Sequence, residues 1–266
     1  MRKFIDQLNF KDRTILITGA AGFLGRTFAT TLAELGATLV LVDRDAPELA
    51  NFSKQIEADW GVRAEFIPSD LEVESDRDEI IKICRSTGAL DVLVNNAAFV
   101  GTSDLDGWAV PFHSQELDAW RRAFEVNLTA VFHLSRDLSP ILGESDHGGS
   151  IINIASIYGE FAPDWSLYSE TKMGNPAAYG VSKSGLIHLT KWLATTLAPN
   201  VRVNAISPGG IYRDQEPNFV TRYEGKTPMR RMATESDICG TMIFLASDMS
   251  QYVTGENIRV SGGWGI

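Results

Sequence analysis

Cysteine is scarce in this chain: Cys84 and Cys239 are the only two, with no metal-ligand spacing and no basis for a disulfide framework. A reducing compartment fits that usage, and cytoplasmic residence is expected. No apolar run reaches the roughly 18 residues of a membrane span. The opening stretch MRKFIDQLNFKDRTILITG has two early basic residues but lacks the uninterrupted apolar core of an export signal. Basic charge is also in deficit. There are 24 Lys and Arg against 34 Asp and Glu, a formal net charge of -10, and such a surface repels nucleic-acid phosphates and anionic lipid head groups. Neither nucleic acid nor membrane is expected as a partner, and no metal site is expected. No Gly/Ser/Pro linker, composition shift or internal repeat divides the chain. Its 266 residues, 44% of them hydrophobic, suffice for one α/β domain over 1–266.

What is present is a series of short apolar runs bounded by turn signals: TILITG (14–19), TLVLVD (38–43), AEFIPSD (64–70), DVLVNNA (91–97), SIINIAS (150–156), VRVNAISPG (201–209) and NIRVSGG (257–263). Each adjoins a segment long enough for a crossover helix. Continuously apolar strands are buried on both faces, so the pattern predicts an α/β fold of Rossmann type, a doubly wound parallel sheet of about seven strands flanked by helices. Irregular segments at about 99–118, 157–175 and 209–235 follow strand ends, which is where open α/β sheets bind ligands.

The first strand runs into TGAAGFLG, with Gly19, Gly22 and Gly25 three apart, and then into the helical pattern RTFATTLAELGA. Glycine lets backbone approach a pyrophosphate, and a helix N-terminus offers it free N–H groups and partial positive charge. An ordinary tight turn also needs glycine, so the context carries the reading. Asp43 ends the second strand, near the spacing of about 20 residues at which an acid meets an adenosine ribose. Its carboxylate would accept from a 2′-OH and repel a 2′-phosphate, favouring NAD, while the adjacent Arg44 leaves NADP open. Asp70 and the NNAA turn (95–98) end the third and fourth strands, where adenine and its ribose would lie.

Two stretches read Tyr-x-x-x-Lys: YSETK at 168–172 and YGVSK at 179–183. Four-residue spacing brings the two side chains together only on a helix. Lys172 is followed by MGNP, whose glycine and proline end any helix, so Tyr168 belongs to a loop. The second stretch opens a helix expected to have Asn175 as N-cap and Pro176 at its first position, with a stripe of Leu186, Leu189, Leu193 and Leu197 before Pro199. Tyr179 and Lys183 fall in its first turns, near the strand that delivers Ser156.

Taken in order, TGAAGFLG, NNAA, Asn127 in FEVNLTAVF, Ser156 in INIASIYG, YGVSK and VNAISPGG resemble the classical short-chain dehydrogenase/reductases over nearly the whole chain. The resemblance implies that Tyr179 is the catalytic acid/base and that Lys183 lowers its pKa and holds the nicotinamide ribose. It further implies that Ser156 positions the substrate oxygen and that Asn127 supports a proton-relay water. The implied cofactor-binding residues are Gly19, Gly22, Phe23, Leu24 and Gly25 at the first turn, Asp43 and Arg44 at the second, and Asp70 and Leu71 at the third. Asn96, Ala97, Ala98, Tyr179, Lys183, Pro208, Gly209, Gly210 and Ile211 complete the set. A phenol of pKa about 10 is a poor base at neutral pH, so an ammonium or a cationic nicotinamide nearby would have to favour the phenolate.

The chain departs from the family pattern in three ways. Its glycine spacing is closer to the extended epimerase and dehydratase branch, although the chain ends soon after the last strand. Ser156 and Tyr179 stand further apart than usual, implying an insertion in the substrate loop, and NNAA and Ser261 replace commoner residues. Arg213, Arg222, Lys226, Arg230 and Arg231 form either a clamp for carboxylate or phosphate or a solvated face with its own acidic partners, the latter being slightly favoured. The insertion is similar to that of dehydrogenases of flagellin glycosylation and legionaminic-acid-type pathways, which implies a sugar, sugar acid or nucleotide-linked sugar as small-molecule substrate. Trp108, His113, Trp165 and Tyr168 could stack on or bond to such a ligand. The rival readings are a 3-oxoacyl carrier-protein reductase, a sugar-nucleotide epimerase and a non-catalytic dinucleotide-binding regulator. Family likeness also implies a homo-oligomer, a tetramer or dimer, with the GGWGI tail at the contact.

Overall fold

A computed structural model describes residues 4–101 and 103–266. The seven apolar runs form one parallel sheet: β1 (Thr14–Thr18), β2 (Thr38–Asp43), β3 (Ala64–Pro68), β4 (Val92–Asn95), β5 (Gly149–Ile154), β6 (Val201–Pro208) and β7 (Asn257–Val260). The strand order is β3-β2-β1-β4-β5-β6-β7, so the chain winds outward from β1 in one direction and then returns to its other side. All residues of β4 and β5 are buried, as strands covered on both faces must be.

Side-chain alternation along the strands divides the core into two layers. Ile15 and Ile17 pack with α1 (Phe23–Glu34), α2 (Ala46–Trp60) and α8 (Glu235–Ala246). Leu16 faces the opposite layer, built from α3 (Glu74–Thr87), α4 (Leu117–Phe124), α5 (Ala130–Gly143) and α6 (Ala177–Leu197). A π-helical turn at Glu125–Thr129 joins α4 to α5.

Helix α6 starts one residue later than the sequence suggests, and Asn175 does not cap it. Pro176 holds the N-cap position with extended backbone (φ -65°, ψ 138°), which places the Asn175 side chain outside the first turn. The Ala177 N–H donates instead to Gln115 Oε1 at 3.1 Å, and Asn175 Nδ2 donates to Tyr168 Oη at 3.2 Å. The leucine stripe is as expected: Leu186 and Leu193 are buried, and Leu189 and Leu197 pack against the core from partial exposure.

Helix α7 (Pro217–Lys226) lies in the long connection after β6 and makes a smaller core of its own. Phe219 and Tyr223 pack there with Ile157 and Leu167 of the inserted loop and with Trp264 near the C-terminus. Trp264 stacks flat on Tyr223, centroids 4.7 Å apart and planes 5° apart, which anchors the end of the chain on α7.

The start of β1 is fixed by buried charge. Arg13 pairs with Asp248 at 2.6 Å, their side chains 2% and 6% exposed, and its Nη1 donates to the Ala246 carbonyl. Arg202 lies close by, and burial together with the Arg13 charge lowers its pKa to about 10. Removal of this carboxylate takes the ion-pair partner from Arg13 and a favourable charge from Arg202. Asp248→Ala is expected to cost about 3–5 kcal/mol in urea unfolding, as loss of one partner of a buried pair does. A loss below about 1 kcal/mol would place this site among ordinary surface pairs.

Candidate active site

The sheet reverses its winding between β1 and β4, and the turns beyond their carboxyl ends press together. Gly19 has φ +67°, and a Cβ there would lie 2.8 Å from Ala97 Cα. At Gly25 an added Cβ would overlap the Gly19 carbonyl oxygen. These glycines are therefore required by the turn itself, and they leave the N-terminus of α1, capped by Gly22, with the free N–H groups of a first helical turn. Asn96 Nδ2 donates to the Thr18 and Gly19 carbonyls at 3.0 and 3.1 Å. Thr18 Oγ1 accepts from the Asn96 and Ala97 N–H groups, a supporting role for a strand-end threonine that the motif reading did not identify.

Asp43 closes the other side of this turn. Its Oδ2 accepts from the Ala21 N–H at 2.9 Å and its Oδ1 from the Arg44 N–H at 2.8 Å, while the Arg44 side chain is exposed. A carboxylate has about four lone-pair positions, so capacity for a ribose hydroxyl is left. Phe23 is 69% exposed at the mouth and Leu24 is buried beneath it. Asp70 Oδ1 accepts from the Glu72 N–H, and Leu71 is buried with its carbonyl held by Arg77. Ala98 continues the turn after β4. On the far side of the crevice, Pro208 ends β6, the Gly209 N–H donates to the Val260 carbonyl, and Ile211 pairs with Ala233. The Gly210 N–H donates to Tyr223 Oη at 2.6 Å, a link from α7 that the sequence did not reveal. The glycine cradle, the open helix terminus and the strand-end acid together fit a dinucleotide.

Ser156, Tyr179 and Lys183 converge where β5 meets α6. Ser156 is buried and caps a short 3₁₀ turn (Ile157–Gly159), its Oγ accepting from the Tyr158 N–H at 3.2 Å. Burial raises the Tyr179 pKa, which the nearby Ser156 hydroxyl and the Arg213 charge oppose. Lys183 is 2% exposed and donates from Nζ to the Ile154 carbonyl at 2.6 Å. Burial lowers its pKa to about 7. Asn127 is fully buried in the π-helical turn. Its Oδ1 accepts from the Phe99 N–H, and its Nδ2 donates to the Phe99 carbonyl and to Ser182 Oγ. Both amide hydrogens are committed to joining the loop after β4 to α6.

The loops around the crevice correct several expectations. Trp108 is 1% exposed and donates from Nε1 to the Val100 carbonyl, so it is a core residue with no access to a ligand. Tyr168 ends a single 3₁₀ turn (Trp165–Leu167) and bonds to Tyr158, while Lys172 is exposed, so this pair lies on no continuous helix. Trp165 and His113 are exposed. The basic cluster is internally satisfied: Arg213 pairs with Glu235, Arg222 with Glu170, Lys226 with Asp164 and Arg231 with Asp237, and Arg230 donates to the Gly225 carbonyl. These pairs favour a self-neutralised face over an anion clamp.

A protein-family model described as enoyl-(acyl carrier protein) reductase matches residues 19–265. Among curated proteins, post-translational flagellin modification protein A of Campylobacter coli is 28% identical over 260 residues, covering 96% of this chain and 99% of that protein. The 7alpha-hydroxysteroid dehydrogenase of Escherichia coli (strain K12) is 32% identical over 265 residues, covering 97% and 96%. Among solved structures, a short chain dehydrogenase from Leptospira borgpetersenii with bound NAD+ superposes with a TM-score of 0.85 at 32% identity, covering 100% of this chain and 97% of that one. Among the described residues no cluster of His, Cys, Asp or Glu could hold a metal, and no helix is long and apolar enough to cross a membrane.

The burial of Lys183 has a consequence for stability. An unfolded chain keeps this amine protonated up to about pH 10, whereas the folded protein releases the proton above about pH 7. Between those values the unfolded state binds more protons, so the contribution of Lys183 to stability rises with pH; below about pH 7 it carries the full cost of a buried charge. The unfolding free energy of wild type minus that of Lys183→Met, measured without cofactor, should therefore climb between about pH 7 and about pH 10. A flat difference would show that the amine stays charged in the fold.

Proposed function

This chain belongs to the classical short-chain dehydrogenase/reductase family of oxidoreductases, and on that premise we propose that it interconverts a secondary alcohol and a ketone with NAD, using Tyr179 as acid/base. The observation that carries this reading is the convergence of Ser156, Tyr179 and Lys183 between β5 and α6, on the carboxyl-end side of the same sheet as the glycine cradle. The nicotinamide, when bound, would supply or accept the hydride. In the reductive direction, Tyr179 gives its phenol proton to the carbonyl oxygen as that oxygen gains charge. Ser156, at the end of β5 near the phenol, would donate to the same oxygen and orient it. Lys183, anchored on the Ile154 carbonyl, would hold a ribose hydroxyl, and Asn127 acts as a positioning residue by fixing Phe99 and Ser182.

NAD is favoured over NADP by Asp43, whose carboxylate would face a 2′-phosphate with like charge. For the substrate we favour a sugar, sugar acid or nucleotide-linked sugar. Support comes from the likeness to the Campylobacter coli flagellin modification protein and from Trp165, 60% exposed on the inserted loop and suited to stacking on a sugar ring. A net charge of -10 disfavours docking of an acidic acyl carrier protein. A homo-oligomer would be built on the α5–α6 face, where Phe132 and Trp192 are 40% and 55% exposed beside Leu128 and Leu189. Light scattering is expected to show a dimer or tetramer that Trp192→Glu weakens; a wild-type monomer would reject it.

Tyr179→Phe should lose at least about a hundredfold in turnover of a keto-sugar panel, the size of a general acid–base contribution, while NADH binding titrated by fluorescence is retained. If Tyr168→Phe is instead the inactive variant, the acid/base lies on the inserted loop. Asp43→Ala should narrow the preference for NADH over NADPH by about tenfold or more, the scale of a lost charged hydrogen bond; an unchanged ratio would remove Asp43 from cofactor selection.

A further inference from the structure

Two further phenols, Tyr158 and Tyr168, lie on the segment between Ser156 and Tyr179, and their hydrogen-bonding capacity is not used up by the protein. Tyr158 follows Ser156 by two residues and Asn175 precedes Tyr179 by four, so both hang on the segments that carry the reacting hydroxyls. Tyr168 comes from the inserted loop and meets both of them. Its Oη lies 2.8 Å from Tyr158 Oη and accepts from Asn175 Nδ2 at 3.2 Å. Asn175 is 7% exposed, while the two phenols are half-buried. Tyr158 is tied to α6 as well, since a Cβ on Gly180 would lie 3.1 Å from its carbonyl oxygen.

A phenol has one hydrogen to donate, and Asn175 enters this chain only as a donor. The Tyr158–Tyr168 bond uses one of the two phenol hydrogens, and among the described residues the other has no protein acceptor. Donation from Asn175 polarises Tyr168 and makes it the better donor toward Tyr158, which leaves the outward hydrogen on Tyr158, the phenol nearer Ser156 in the chain. Burial pushes the pKa of both phenols up, so they act as neutral donors and not as bases.

We propose that Asn175, Tyr168 and Tyr158 form a directed hydrogen-bond chain whose free end donates to a second oxygen of the substrate, close to the one that reacts. This rests on the oxidoreductase reading above. It selects α- or β-oxygenated ketones and diols over simple hydrocarbon ketones. Tyr158 is the contact residue, and Tyr168 and Asn175 are positioning residues. The insertion that separates Ser156 from Tyr179 thus has a function: it supplies the middle link.

The test compares 2-hydroxycyclohexanone with cyclohexanone, with NADH, in wild type, Tyr158→Phe, Tyr168→Phe and the double variant. Wild type should prefer the hydroxyketone in kcat/KM. Tyr158→Phe should reduce that preference by about tenfold, the scale of one hydrogen bond, with the greater part of the loss falling on the hydroxyketone. Tyr168→Phe should give a smaller reduction, and the double variant no more than Tyr158→Phe alone. No preference in wild type, or equal loss on both ketones in the variants, overturns the proposal. Tyr179→Phe must abolish both activities if the underlying reading holds. If wild type turns over neither ketone, that reading fails separately, and saturation-transfer NMR of the two ketones with the protein decides this one: a preference for the hydroxyketone that is lost in Tyr158→Phe supports it, and its persistence overturns it.

Discussion

The arrangement of this site depends on β1 pairing with β2 on one side and with β4 on the other. That reversal brings the turn after β1 against the turn after β4, and no side chain fits between Gly19 and Ala97. The polar groups that the crossing would strand are satisfied locally, Asn96 by the carbonyls of Thr18 and Gly19 and the two N–H groups after β4 by Thr18 Oγ1. Backbone polar groups buried without partners would cost more than the close approach gains, so the crevice and its hydrogen bonds are one construction.

The same economy governs the other end of the site. A lysine amine is expensive to bury, and Lys183 is accommodated by one backbone carbonyl of β5 and by losing much of its affinity for a proton. Helix α6 is locked to β5 by a second line of polar contacts, running from Asn95 through Asn153 to Thr190 with steps of 2.9 Å. Tyr179 and Ser156 are thus set by rigid elements, whereas the inserted loop and α7 are set by a satellite core around Tyr223 and Trp264. The proton chemistry proposed for Tyr179 and Ser156 sits on the first, and substrate selection on the second.

The elements most legible in advance were the buried strands. TLVLVD is a strand at the residues its apolar run marks, because nothing in a two-sided parallel strand competes with the apolar pattern. Tyr179 could be chosen over Tyr168 by the proline and glycine before α6, a purely local argument. Trp108 was misjudged because an aromatic in an irregular segment gives no periodicity to show which way it faces, and its indole is in fact satisfied by the Val100 carbonyl. Asn175 was misjudged because capping competes with tertiary partners, and Tyr168 offered one.

By itself the sequence determined what short-range physics decides: strand runs, the glycines a tight turn requires, the acid at the end of β2, and the helix on which Tyr179 and Lys183 share a face. Only the tertiary structure decided what depends on partners distant in the chain. It made Lys183 an amine that gives up its proton near neutral pH, it paired the basic residues after β6 with acids of the insertion and α8, and it joined Tyr158, Tyr168 and Asn175 into one chain. Burial and pairing are properties of three-dimensional neighbours, and no local pattern encodes them.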